Sequence, residues 1–168
     1  LAAPTIAEKI AELDNYSTTH LAMTAANMGH KVWYIPVADF EFSPDDETKA
    51  WAIPVSGHKH RSTSVFMREV RAAAGQAELI NIDDLDILWL RNDPSQDAIH
   101  RPWARLAAIQ FGRIAKRRGV IVLNDPDAMT RGLTKLYLQE YPRQVRARTL
   151  ISRDRASIRQ FIDEQDGW

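Results

Sequence analysis

Asp84-Leu85-Asp86-Ile87-Leu88-Trp89-Leu90-Arg91-Asn92-Asp93-Pro94-Ser95-Gln96-Asp97 reads, in that order, as a polar approach, a four-residue apolar run and a turn. Ile87 to Leu90 is apolar at every position and lacks the alternation of a half-solvated strand, which predicts a central strand covered on both faces. Arg91 to Asp97 then breaks it with turn-forming residues. Beyond the turn, Ile99, Trp103, Leu106, Ile109, Gln110, Arg113 and Ile114 recur at helical spacing and predict a long helix over 98–118. Lys116-Arg117-Arg118 puts cations where a helix C-terminus favours them, and Gly119 stops the helix. Val120 to Leu123 is a second buried strand, followed by a turn at Asn124-Asp125-Pro126 and a short helix.

Upstream, Ser17-Thr18-Thr19 supplies hydroxyls that cap a helix start. Leu21, Ala22, Ala25, Ala26 and Met28 give that helix a small apolar face, and Gly29 ends it. Val32 to Ile35 follows at once as a strand, closed by Pro36; such a helix–Gly–strand step is the repeating unit of a parallel α/β sheet. Lys49 to Val55 and Ser64 to Val70 read as two strands of a small hairpin, joined by the polar stretch 56–63. Ile6 to Leu13 suits a short helix or an ordered loop. Past Pro142 come a charged segment from Arg143 to Arg148, a strand at Thr149-Leu150-Ile151, and a helix over 155–164 capped by Asp154. The expected architecture is α/β: an open, mainly parallel, Rossmann-like sheet with flanking helices, a small hairpin beside it, and the opening of a second α/β domain. Residues 1–124 form the first domain in this reading, and 125–168 the linker and the start of the next.

Composition narrows the function classes. The 168 residues are 45% hydrophobic and 26% charged, a globular balance. Net charge is zero, so no bulk positive field exists to hold nucleic acid. There are no cysteines, which removes disulfides, cysteine–zinc sites and thiol catalysis and suits the cytoplasm. No run of eighteen apolar residues spans a membrane. Gly-rich nucleotide fingerprints and the Gly-x-Ser-x-Gly elbow are both missing. His58-Lys59-His60 has chelating spacing, but its flanking cations repel a divalent ion, so it reads as an exposed hairpin tip. His20 and His100 read as packing or capping groups. The arginines at 143, 146 and 148 read as a solvated linker. The turns at 91–97 and 124–127 follow apolar strands directly, where an open parallel sheet binds ligands. Arg91 there can fork onto a carboxylate or phosphate, although such turns also serve as plain polar caps.

The order of these motifs resembles that of the bacterial glutathione synthetases. That family has a hydroxyl-rich helix start and a helix closing at Gly-His, places held here by Ser17-Thr18 and Gly29-His30. Its Asp-Leu-Asp approach, apolar strand and Arg-Lys-Asp-Pro-Pro-Phe-Asp turn are matched by Asp84 to Asp97, with Asn92, Ser95 and Gln96 as departures. Its Val-Asn-x-Pro turn is matched at Leu123-Asn124-Asp125-Pro126, and Lys135 stands at the spacing of the family's ATP-contacting lysine. Leu133-Thr134 replaces the Asn-Glu that precedes that lysine, and Ala3-Pro4 stands where an Asp-Pro turn is expected. Thr149-Leu150-Ile151-Ser152-Arg153-Asp154 is similar to the opening of the family's central domain.

The resemblance implies a pre-ATP-grasp fold and an ATP-dependent ligase that forms a peptide bond through an acyl phosphate. For this family the substrates are γ-glutamylcysteine, glycine and ATP with Mg2+; no nucleic acid or membrane is involved, and assembly into a homo-oligomer stays open. Lys135 is the implied ATP contact, and Ser17, Thr18, Arg91, Asn92 and Asp93 are the implied substrate-facing rim. Magnesium ligands and the phosphate-covering loop are expected beyond residue 168, so these residues alone are expected to be inactive. Two alternatives remain at this point: a related ATP-grasp ligase with a different carboxylate and amine, and a non-catalytic α/β binding or oligomerisation module.

Overall fold

The structure is a computed structural model that describes residues 17–57, 59–92 and 102–165. It divides into two compact units, Leu1–Thr130 and Arg131–Trp168. In the first, helix α1 (Ser17–Asn27) runs into Gly29 at φ +92°, a left-handed turn that glycine adopts without a Cβ penalty. Strands β1 (Trp33–Tyr34), β2 (Phe40–Phe42) and β3 (Thr48–Pro54) follow, then helix α2 (Thr63–Ala72) and strand β4 (Glu78–Asn81). Strand β5 (Ile87–Trp89), helix α3 (Ala107–Arg117), strand β6 (Ile121–Leu123) and helix α4 (Pro126–Arg131) complete the run. A second positive φ, +97° at Gly119, closes α3.

The larger sheet is antiparallel, which corrects the expectation of a mainly parallel one. β3 is its centre, pairing antiparallel with β1, β2 and β4. The parallel component is the two-stranded pair β5–β6, in register Ile87↔Ile121, Leu88↔Val122 and Trp89↔Leu123. The helix–Gly–strand step at 17–35 was read as a parallel unit because its local pattern carries no information about pairing direction. β1 meets β3 in an antiparallel ladder (Trp33↔Pro54, Tyr34↔Ile53), and that choice is made by a partner nineteen or more residues away.

The second correction concerns 64–70, where a strand was expected and α2 is found. Ser62 Oγ accepts a hydrogen bond from the Val65 amide at 3.3 Å and starts the helix. Phe66, Met67 and Val70 then lie on one buried helical face, a spacing of one, three and four that a short apolar run disguises. There is consequently no 49–70 hairpin. His60 is correspondingly buried rather than an exposed tip: its ring meets Phe66 edge-on at 4.9 Å between centroids, and Asn27 holds its backbone amide and carbonyl. His58 and the Ile6–Leu13 segment lie outside the described residues.

Two apolar cores cover opposite faces of the antiparallel sheet. On one, Ile53 packs with Ala26, Phe66, Met67 and Val70 from α1 and α2. On the other, Ala50, Ile82, Leu88, Leu90, Ala108, Ala115 and Val120 form a core around α3. Phe111 of α3 stacks on Phe40 of β2, 5.0 Å between centroids and 17° between planes. Ala50 and Ala52, fully buried on the same face of β3, leave room there for the layer that carries α3. The β5–β6 pair is covered on one face only: Leu88 is buried while Ile87, Trp89, Ile121 and Leu123 are exposed. A continuous apolar run therefore did not mean burial on both faces. The expected long helix is described from Pro102, as a 3-10 turn to Leu106 and then α3.

In the second unit, 3-10 turns at Lys135–Glu140 and Arg143–Val145 precede helix α5 (Arg155–Asp163). Asp154 caps α5 as expected, accepting from the Ser157 amide and hydroxyl, each at 2.7 Å. Thr149-Leu150-Ile151 is not a strand: it takes no regular element, and no described strand pairs with it. Among the described residues no helix is long and apolar enough to cross a membrane.

Two outcomes follow. A Cβ added at Gly112 would sit 2.7 Å from Leu90 Cδ1 and 3.3 Å from Pro126 Cγ. Gly112→Ala gains about 1 kcal/mol of helix propensity but overpacks a buried site at a cost of about 1–3 kcal/mol. A denaturant titration should therefore show net destabilisation, whereas Gly75→Ala, with open space around it, should be near neutral. Burial pushes the Tyr34 hydroxyl up to about 12 against the ordinary value near 10, a hydrogen bond with Thr19 opposing it. Ionisation is thus disfavoured in the folded state, so this stabilisation is complete below pH 10 and is lost as pH rises toward 12. Tyr34→Phe should flatten that alkaline limb in thermal melts recorded from pH 9 to 12.

Candidate functional site

The carboxyl ends of β5 and β6 lie side by side because the two strands are parallel and in register. Beyond β5, Leu90 continues the ladder, its amide donating to Leu123 O at 2.5 Å. Beyond β6, Asn124 Nδ2 donates to Leu90 O at 2.7 Å. Both peptide groups of Leu90 are therefore held from β6, and its side chain is 3% exposed against α3. Arg91 and Asn92 leave the sheet from this fixed point.

Arg91 reaches the first turn of α1. Its Nη2 donates to Ser17 Oγ at 2.7 Å and its Nε to Thr18 Oγ1 at 3.3 Å. Residues 73 and 74 positions apart are thereby brought together, three of the sequence-derived site residues in one cluster. The hydroxyls that were read as helix caps serve as acceptors for this guanidinium. A guanidinium carries five N–H donors, so three remain for a ligand once Ser17 and Thr18 are served. The amide-donating end of α1 lies beside it, and both features favour an anion. The side-chain oxygen and nitrogen of Asn92 are buried without a hydrogen-bond partner among the described residues. Asp93, the fifth residue assigned to the rim, lies outside the described residues.

Behind this edge, α4 is fixed by charge. Asp125 Oδ1 accepts from the amides of Asp127 and Ala128 at 3.0 and 2.9 Å, and Asp125 also pairs with Lys116. The Lys116 ammonium, reinforced by those amides, holds the Asp125 carboxyl down at about 2. Arg113 bonds Asp127 Oδ1 at 2.8 Å and Thr130 Oγ1 at 3.0 Å. The cations at the end of α3 thus have particular partners. Sequence reasoning left Asn124 out of the site, although it had placed a polar turn there.

Lys135 begins the first 3-10 turn of the second unit and is exposed. Among the described residues no group of three carboxylate or imidazole side chains could hold a metal ion. The described residues therefore offer no ready-made cluster of protein ligands for magnesium.

The polar cluster of Arg91, Ser17 and Thr18 stands at the carboxyl ends of the parallel pair, the edge at which open α/β sheets bind ligands. The chain is a member of the family described as prokaryotic glutathione synthetase, N-terminal domain, whose model matches residues 3–130. It is also 29% identical over 149 residues to the glutathione synthetase of Parasynechococcus marenigrum (strain WH8102). That alignment covers 89% of this chain and 43% of the relative, so the chain spans less than half the length of the protein it matches.

If the Arg91 fork is formed in solution, Arg91→Ala and Ser17→Ala should be coupled. A double-mutant cycle read by urea unfolding should give an interaction of about 0.5–1.5 kcal/mol. Strict additivity would show that the fork does not form.

Proposed function

We propose that this chain is the substrate-receiving part of an ATP-dependent carboxylate–amine ligase that joins γ-glutamylcysteine to glycine in the cytoplasm. In that reaction the carboxylate of γ-glutamylcysteine attacks the terminal phosphorus of ATP, giving an acyl phosphate and ADP. The glycine amine then attacks the acyl carbon, the peptide bond forms, and inorganic phosphate leaves with the bonding electrons. Magnesium supplies charge neutralisation to the phosphates when it is bound with the nucleotide. Arg91, oriented by Ser17 and Thr18, takes a substrate carboxylate through its remaining donors. Asn92 supplies an amide whose donor and acceptor have no partner among the described residues. Lys135 contacts the nucleotide phosphates from the second unit.

The observation that carries this reading is the guanidinium fork at the carboxyl ends of a parallel pair, in a chain of this family. The departures at Asn92, Ser95 and Gln96 fall in the same turn, which favours comparison with a related ligase that uses a different carboxylate. The test is ATP-dependent phosphate release by the full-length protein, with γ-glutamylcysteine and glycine set against other carboxylate and amine pairs. Arg91→Lys keeps the charge but loses the planar fork. It should raise KM for γ-glutamylcysteine about tenfold and leave KM for ATP unchanged. Lys135→Ala should do the reverse. Turnover confined to another substrate pair would replace the glutathione reading, and no ATP-dependent turnover with any pair would end the ligase reading.

A further inference from the structure

We infer that Asn124 is a positioning residue for the Arg91–Asn92 turn: its side-chain amide takes the place of one backbone rung in the β5–β6 ladder. In a parallel pair, each residue facing the partner strand donates its amide to one partner carbonyl and accepts at its own carbonyl from an amide two residues further on. For Leu90 the first bond is present, to Leu123 O at 2.5 Å. The second would come from the backbone beyond Asn124, but the chain there turns away. By the register of the pair that donor would be the Asp125 amide, but there the chain enters α4, whose start the Asp125 carboxylate caps by accepting from the Asp127 and Ala128 amides. Asn124 Nδ2 supplies the donor instead, at 2.7 Å from Leu90 O.

The consequence falls on the next residue. The Leu90 carbonyl belongs to the same rigid peptide plane as the Arg91 amide, so fixing that carbonyl fixes the direction in which Arg91 leaves the strand. Gly112 lets α3 pack against the Leu90 side chain, since a Cβ there would meet Leu90 Cδ1 at 2.7 Å. Arg91 then reaches Ser17 and Thr18, and Asn92 turns its amide inward. Asn124 acts through Leu90, since the bond it makes is to the Leu90 carbonyl. The inference deepens the proposed ligase reading and rests on it for the identity of the substrate.

The test compares Asn124→Asp and Asn124→Ala with wild type in the full-length protein. The Asp variant keeps the size and the turn-forming character of Asn but sets a charged acceptor against the Leu90 carbonyl, while the Ala variant removes the donor without adding charge. KM for γ-glutamylcysteine should rise about tenfold in both variants while kcat falls by less than about threefold. KM for ATP and the melting temperature should stay near wild type. The Arg91 Nε–H resonance, in isotope-labelled protein without ligand, should shift and broaden in both. Unchanged KM with an unmoved Arg91 resonance overturns the inference. So does a fall in kcat with a rise in both KM values and a lowered melting temperature, which would mark Asn124 as a plain structural residue. Should wild type fail to use γ-glutamylcysteine, the ligase substrate reading falls, and the Arg91 resonance alone decides whether Asn124 positions the turn.

Discussion

Helix α3 has to satisfy two sheets at once, and the first unit is organised around that constraint. Its buried stripe is Ala108, Ile109, Gly112 and Ala115, small residues apart from Ile109, which is fully buried. Phe111 turns toward the antiparallel sheet to stack on Phe40, while Gly112 gives up its side chain so that Leu90 of the parallel pair can approach. A bulkier stripe would lift α3 from one sheet or the other. Since Leu90 is the residue from which Arg91 departs, the packing of α3 and the geometry of the candidate site are the same problem.

Charge finishes what packing begins. Arg118, at the end of α3, donates to Asp83 Oδ2 at 2.6 Å, to Thr48 Oγ1 at 3.2 Å and to the Asp46 carbonyl, and it lies over the Phe42 ring. One side chain thereby ties α3 to the β2–β3 connection, where Asp46 holds a left-handed backbone at φ 60°. Arg113 and Lys116 do the same for α4 through Asp127 and Asp125. Exposed pairs of this kind contribute little to overall stability, and their effect is on where the elements stop and turn. The edge that carries Arg91, Asn92 and Asn124 is built from such terminations.

Much of this was legible from local chemistry. Gly29 and Gly119 were placed correctly because a left-handed residue after an apolar helical stretch is a strong signal. The parallel pairing of the runs at 87–90 and 120–123 followed from the helix between them, and Asp154 capped its helix as read. Ser17, Thr18 and Arg91, singled out on motif order alone, lie in contact with one another. The failures share one cause. Residues 64–70 are short and apolar enough to suit strand or helix, and the decision came from Ser62 and from the core that Phe66, Met67 and Val70 enter. Thr149-Leu150-Ile151 has strand composition and no described strand to pair with. Ile87 and Trp89 are apolar and exposed, because burial depends on what lies over a face and not on the residue itself.

The sequence by itself determined the class of the chain, the stops of its helices, the two strands of its parallel pair and the polar turns that follow them. These are short-range properties, set by backbone preference and apolar spacing within about a dozen residues. Only the tertiary structure decided that the larger sheet is antiparallel, that His60 is interior, and that Asn124 closes the ladder behind Arg91. Strand direction, burial and a side chain standing in for a backbone donor each depend on a partner distant in the chain. Asn124 and Leu90 are 34 residues apart, and nothing local to either one announces the other.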